Sequence, residues 1–372
     1  MPKTYDVIIA GGGLAGLTAT AILGKFFKVL LIDPDDYPRH KLCGEYLSNE
    51  VIKVLKELGI SLEKLGAVSI DRLQYSFHNK ELESPLPLGG TGISRFTLDK
   101  ALYDLVTKLS NVTILKDKVI AIDTTALIHE VTTSHATYGC RQFIMATGKR
   151  GLLDKKLDRS FITKKSPWLA VKMHYQYDMP DDLVGLHAFN GGYAGISKIE
   201  DDKVNLCYLA TYESFKSLKD VDLFNAAVLS QNKKLNHFFK HAVACWNKPI
   251  TISQISFDQK QPVENDVMMI GDTAGLIHPL CGNGMAMAIH SAILASQNIT
   301  PFLEEKIDRV QALENYTTQW NFHFKSRLKT GRVLQTILLN KRYTSIAYRL
   351  LGWFPWILPI IIKRTHGKSV TL

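Results

Sequence analysis

YDVIIAGGGLAGLTATAILGKFFKVLLID, residues 5–33, decides the fold. An apolar run (5–10) meets glycines 11, 13 and 16, spaced G-x-G-x-x-G. An alanine-rich helix is predicted from there to about Phe26, then a second strand (28–32) ending at Asp33. Gly11 permits a tight turn, Gly13 lets a phosphate approach the backbone, and Gly16 lets helix and strand pack closely. Leu14 and Ala15 fall in the first helical turn, whose free N–H groups and partial positive charge favour an anion. Asp33, about twenty residues on, stands where ribose hydroxyls can be held. Strand, glycines, helix, strand and acid in register predict a dinucleotide-binding, Rossmann-like unit.

A second element lies far downstream. In VMMIGDTAGLIHPLCGNGMAMAIHSAILAS (267–296) a short apolar strand ends at Gly271-Asp272, a loop carries Pro279 and Gly282-Asn283-Gly284, and a helix of small residues follows. Paired with the N-terminal fingerprint, it resembles the flavoprotein superfamily of aromatic (p-hydroxybenzoate-type) hydroxylases and geranylgeranyl reductases. The resemblance implies FAD. It puts Gly271 and Asp272 on the ribityl chain, and Pro279, Gly282, Asn283, Gly284 and Met285 at the ring. A helix dipole aimed there would stabilise an anionic reduced flavin.

Three further stretches extend the likeness to roughly residues 5–300. SRFTLDKALYDLV (94–106) matches R-x-x-x-D-x-x-L, which implies that Arg95 reaches the flavin side while Asp99 and the apolar positions build a helix. QFIMATG (142–148) closes a strand on glycine and adds Thr147 and Gly148 to the cofactor site. RHKLCGEYL (39–47) is similar to the R-x-K-x-C-G segment of the reductases. By that likeness Arg39 and Lys41 neutralise pyrophosphate or cofactor charge, and Gly44 permits close backbone approach. Cys43 comes near the ring, either to act on the flavin or to fill a tight gap. Cys281 is expected across the same pocket.

The departures are specific. Thr147 stands where the hydroxylases carry the aspartate of Ala-Asp-Gly. None of Trp168, Trp246, Trp320, Trp353 and Trp356 falls in the W-x-W-x-I-P pattern of halogenases. GGYAGISKI (191–199) keeps Tyr193 but lacks the tryptophan of the reductases' Y-x-W-x-F-P. No second glycine-rich dinucleotide fold occurs, so NAD(P)H binding transiently is the expected electron donor, with a partner reductase as the rival.

WLAVKMHYQY, LVGLHAFNGGYAGISKI and KVNLCYLATY (within 165–212) alternate as antiparallel strands, and 72–87 reads as a hairpin of the same sheet. FNAAVLSQNKKLNHFFKHA (224–242) reads as one amphipathic helix. His78, His187, Tyr193 and Cys43 are the candidate acid, base or catalytic groups. The expected fold is α/β: a Rossmann-like FAD-binding domain, an interleaved antiparallel β-sheet substrate domain, and C-terminal helices. The FAD-binding parts are 1–71, 94–164 and 263–312. The substrate domain comprises the hairpin 72–93 and residues 165–262, and a basic, apolar helical region covers 313–372.

Composition excludes several classes. Of 372 residues 46% are apolar and 22% charged, as in ordinary globular proteins. Five cysteines (43, 140, 207, 245 and 281) are scattered singly, which suggests neither a metal site nor a disulfide framework and fits a reduced, cytoplasmic setting. The start lacks the apolar core of a signal peptide. Net charge is +10, and the whole excess follows Glu314, where ten Lys or Arg meet no acid. That region includes LLGWFPWILPIII (350–362), too short to span a bilayer, which needs about 20 helical residues. Its basic flanks suit an anionic membrane surface through residues 347–372, peripheral on the inner face. A helical pair with a merely solvated basic face is the plainer alternative. Nucleic acid is excluded as a partner because the cations interleave with aliphatics.

These readings imply an FAD-dependent oxidoreductase that reduces an activated double bond of a lipophilic or aromatic small molecule. The alternative is hydroxylation of an aromatic or alkyl-phenol substrate through a C4a-hydroperoxide. A non-catalytic, envelope-associated FAD-binding protein is the third reading.

Overall fold

The computed structural model describes residues 3–372 apart from 78, 340 and 355, and leaves the side chains of 338, 339, 341, 342, 344, 345 and 348 out. The β-branched runs at the start form β1 (Thr4–Ala10) and β2 (Val29–Ile32), parallel neighbours in register from Val7↔Val29 to Ala10↔Ile32. Between them α1 (Leu14–Leu23) is buried almost all round. It stops at Gly24, short of the predicted Phe26, because glycine is a poor helix former and a Cβ there would overlap Val112.

Eight strands form the first sheet, with Val267–Met269, Thr137–Met145, β1, β2 and Val112–Leu115 running parallel side by side. Both faces of a parallel sheet must be covered. The helices α1, Arg95–Val106 and Gly284–Leu303 pack together beside it. Ser94 caps the second of these, accepting from Thr97 N at 3.0 Å.

The second sheet has nine strands and carries the meander Trp168–Gln176, Lys203–Thr211, Gly192–Lys198 and Leu183–Phe189, antiparallel throughout. Leu183–Phe189 then pairs parallel with Val68–Phe77, the first arm of a hairpin with Lys80–Gly92. The sheet is therefore mixed, not purely antiparallel. No tight turn joins those two strands, so nothing local imposes the antiparallel sense.

Side chains alternate across this sheet. Leu169, Val171, Met173 and Tyr175 enter a core with Phe224, Leu235 and Phe238, while Trp168 and Ala170 join a smaller cluster on the other side, with Leu42 and Leu276. The predicted helix over 224–242 is two helices, Val221–Ala227 and Lys233–His241. Asn232 divides them. Its Oδ1 accepts from Lys234 N at 2.9 Å, and its Nδ2 donates to Ala188 O at 3.0 Å.

Three helices follow: Arg309–Leu339, Lys341–Trp353 and Ile357–Thr365. Beyond them the chain returns to the first domain, where Val370 N donates to Glu50 O at 2.8 Å. No described helix is long and apolar enough to cross a membrane.

Candidate active site

A cavity of about 980 Å³ runs from the β1–α1 turn, past residues 39–46 and the loop before Gly284, to the inner faces of the last two helices. Every residue that the sequence assigned to the cofactor lines it except Gly16, which lies beneath the turn. There a Cβ would overlap the carbonyl oxygen of Gly11. Gly11 itself has φ +105°, a conformation L side chains rarely adopt, and its Cβ would overlap Ala146 O.

The cationic groups separate into two sets. Arg95 NH2 and Lys41 Nζ come within 3.4 and 3.6 Å of where a Cβ on Gly13 would stand, at the N-terminus of α1. Asp99 holds Arg95 by a fork of 2.6 and 2.7 Å. Burial pushes Lys41 down to about 8, with Arg95 adding repulsion. Two cations and a helix N-terminus make a site for a pyrophosphate.

Arg39, expected to neutralise pyrophosphate or cofactor charge, lines the same cavity and is paired with an acid. Its NH2 lies 2.8 Å from Asp33 Oδ2, the acid six residues before it. Burial raises the Asp33 carboxyl, yet the Arg39 hydrogen bond and charge hold it below the usual range. Asp33 also accepts from Gly12 N at 2.5 Å.

At the opposite end of the cradle Gly282 has φ +62° and precedes Asn283 and the helix from Gly284. Asn283 Nδ2 donates to the buried Glu50 at 2.7 Å, while Arg327 NH1 lies 3.3 Å from the other Glu50 oxygen. Asn283 Oδ1 and Thr147 Oγ1 are buried without a hydrogen-bond partner among the described residues. Unpartnered polar atoms on cavity-lining residues, the glycine turn and the paired cations fit FAD.

Sequence reasoning missed a buried polar cluster in the cavity wall. Glu45, in the cofactor loop at φ +54°, is wholly buried. Its carboxylate pairs with Lys172, lies 2.6 Å from His174 Nε2, and accepts from Arg95 N at 2.8 Å. Lys172 Nζ also donates to Lys41 O at 3.0 Å. Burial raises Glu45, but His174 and Lys172 outweigh it and hold the carboxyl below its ordinary value. The only trace in sequence was an unusual Lys-x-His inside an apolar strand.

The catalytic candidates part company. Tyr193 lines the cavity, accepts from Leu280 N at 2.8 Å, and lies 3.2 Å from His278 Nδ1. Burial drives the Tyr193 phenol upward and pushes His278 down to about 3, so both are neutral. Cys43, Cys207 and Cys281 share the cavity wall, with Cys43 O accepting from Asn205 Nδ2 at 3.2 Å. His187 does not reach it. Leu186 takes the cavity side, and the next residue points away, to Ser76 Oγ at 2.8 Å. His78 lies outside the described residues.

The far end of the cavity is apolar. Leu73, Leu86, Val184 and Leu186 face Ile337, Leu351, Leu358 and Ile361. The apolar run expected on a membrane surface therefore also walls the cavity.

The chain matches the squalene epoxidase family model over residues 225–340. It is 25% identical over 321 residues to the menaquinone reductase of Mycobacterium tuberculosis, covering 78% of this chain and 76% of that protein. PqsL of Pseudomonas aeruginosa, a probable FAD-dependent monooxygenase, superposes with a TM-score of 0.76 at 16% identity over 93% of this chain and 100% of that one. The flavin-dependent brominase Bmp2 gives 0.79 at 17% identity, over 98% and 93%. Fold and sequence together support an FAD-dependent oxidoreductase.

Proposed function

We propose that the protein reduces a carbon–carbon double bond in a long apolar lipid, of the class of a polyprenyl quinone. The observation that carries this is the union of a flavin cradle and an apolar cavity end in one volume. Similarity to a menaquinone reductase over most of both chains supports the substrate class.

Bound FAD, once reduced, supplies a hydride. The chain supplies the rest. Arg95, Lys41 and the α1 N-terminus hold the pyrophosphate, and Asp33 the ribose. Leu73, Leu86 and the inner faces of the last helices hold the lipid out of water. Tyr193 holds a proton at Oη, kept there by its raised pKa and oriented by Leu280 N and His278. That proton goes to the carbon that does not take the hydride, and solvent restores it. NAD(P)H, or a partner reductase, returns the electrons.

A second reading, oxygen insertion into the same lipid class or an alkyl-phenol, draws on the squalene epoxidase match, which includes the flavin loop. One experiment separates them. FAD-loaded protein, chemically reduced without oxygen, is given a polyprenyl quinone and the product weighed. A gain of two hydrogens that persists after the ring is reoxidised to the quinone supports reduction of the double bond. A gain of one oxygen, seen only with NADPH and air, assigns the second reading, and an unchanged lipid under both conditions rejects both.

A further inference from the structure

We infer that the outward face of the last two helices docks on an anionic lipid bilayer, so that a lipid substrate enters the cavity from the membrane. The docking stands on surface chemistry alone; the entry route rests on the proposed function.

Along Lys341–Trp353 and Ile357–Thr365 some apolar residues line the cavity and others are exposed. Inward, Ala347, Leu351, Leu358 and Ile361 line the cavity. Outward, Trp353 is 74% and Trp356 63% exposed, with Ile346, Phe354 and Ile360 also exposed around them. Large apolar side chains grouped this way on a surface mark a binding face. Arg349, Lys363, Arg364 and Lys368 are exposed on the same region, and no acid follows Glu314 in the sequence.

The chemistry selects the occupant. Tryptophans with aliphatics and a cationic rim match the headgroup boundary, where indoles sit half-wet and cations meet anionic lipid. A second copy would bring the same cations face to face, which opposes a symmetric pair. At 13 and 9 residues the helices fall short of the roughly 20 a span requires, so they lie along the interface. The cavity is then one helix thickness from the bilayer.

The test uses the FAD-loaded full chain. It is co-sedimented with vesicles of phosphatidylcholine alone or mixed equally with phosphatidylglycerol. Wild type pellets with the anionic vesicles, and less so as salt rises. Lys363→Ser/Arg364→Ser weakens that binding roughly 25-fold, about fivefold per cation. Trp353→Ser/Trp356→Ser weakens it on the order of tenfold or more. Unchanged flavin content and melting temperature show that both variants fold. Failure of wild type to bind anionic vesicles, or variants that bind as well as wild type, overturns the docking. So does velocity sedimentation showing a dimer that the tryptophan variant dissociates, which assigns the face to a second copy.

For the entry route, the tryptophan variant should turn over a water-soluble short-chain quinone like wild type and lose at least tenfold on a long-chain quinone in anionic vesicles. Equal loss on both, or on neither, overturns that route. Absence of turnover by wild type overturns the proposed reaction alone, since vesicle binding does not depend on it.

Discussion

Glu45 Oε2 and His174 Nε2, 129 residues apart in sequence, meet at 2.6 Å inside the wall of the cofactor loop, and Lys172 completes the cluster. The loop bearing Lys41 and Cys43 is thereby pinned to the substrate sheet. Glu45→Gln strips Lys172 of its counter-charge in a dry site and should cost about 3–5 kcal/mol. Thermal melting checks it, and Glu45→Gln/Lys172→Met should recover most of the loss. The pH dependence has a definite sign. The folded pKa of Glu45 lies below its unfolded value, so its stabilisation is present above the unfolded value of about 4.3 and disappears as pH falls through the folded one. Acid titration of Glu45→Gln should lack that contribution.

FAD affinity should depend on pH through Lys41, held at about 8 in the free protein. Below that value the ammonium is ready for the pyrophosphate. Above it binding must take up a proton, so the dissociation constant rises, approaching roughly tenfold per pH unit. Fluorescence titration from neutral to alkaline pH measures this, and Lys41→Met should be weaker and nearly flat.

Gly16→Ala puts a methyl group against Gly11 O, backbone that cannot swing aside. A loss of about 3 kcal/mol and a sharp fall in bound flavin are expected. Flavin absorbance against protein concentration reads the second directly.

Tyr193→Phe and His187→Ala should give opposite results. Removing the Tyr193 hydroxyl leaves the cavity shape and takes away the proton, lowering turnover on the order of a hundredfold at unchanged flavin content. His187→Ala opens a void beside Ser76 and lowers the melting temperature, while turnover per bound flavin stays the same. Single-turnover kinetics on both variants distinguishes a proton donor from a packed histidine.

What could be read in advance follows from how local each constraint is. The β1–α1–β2 turn and the Gly282 loop are set by neighbours within a few residues, and their patterns were plain. The side of the sheet taken by His187 was not, since Val184, Leu186 and Ala188 on one face and Leu183, Gly185 and Phe189 on the other are all apolar. Glu45–Lys172–His174 depends on two segments meeting in space, which no spacing rule reaches. The pairing of Arg39 with Asp33 was not read in advance for a similar reason: it is made through space. In 350–362 the apolar residues run nearly unbroken across the end of one helix and the start of the next, so cavity wall and outer surface could not be separated in advance.

Glu50 gives the last stretch of chain an unexpected say over the cofactor. One of its carboxylate oxygens fixes Asn283 and the other Arg327, its carbonyl takes Val370 N, and Gly367 sits so close that a Cβ there would overlap the carboxylate. None of residues 367–372 lines the cavity. Removing them should nonetheless lower flavin occupancy, because the carboxylate that orients the flavin loop would be opened to water.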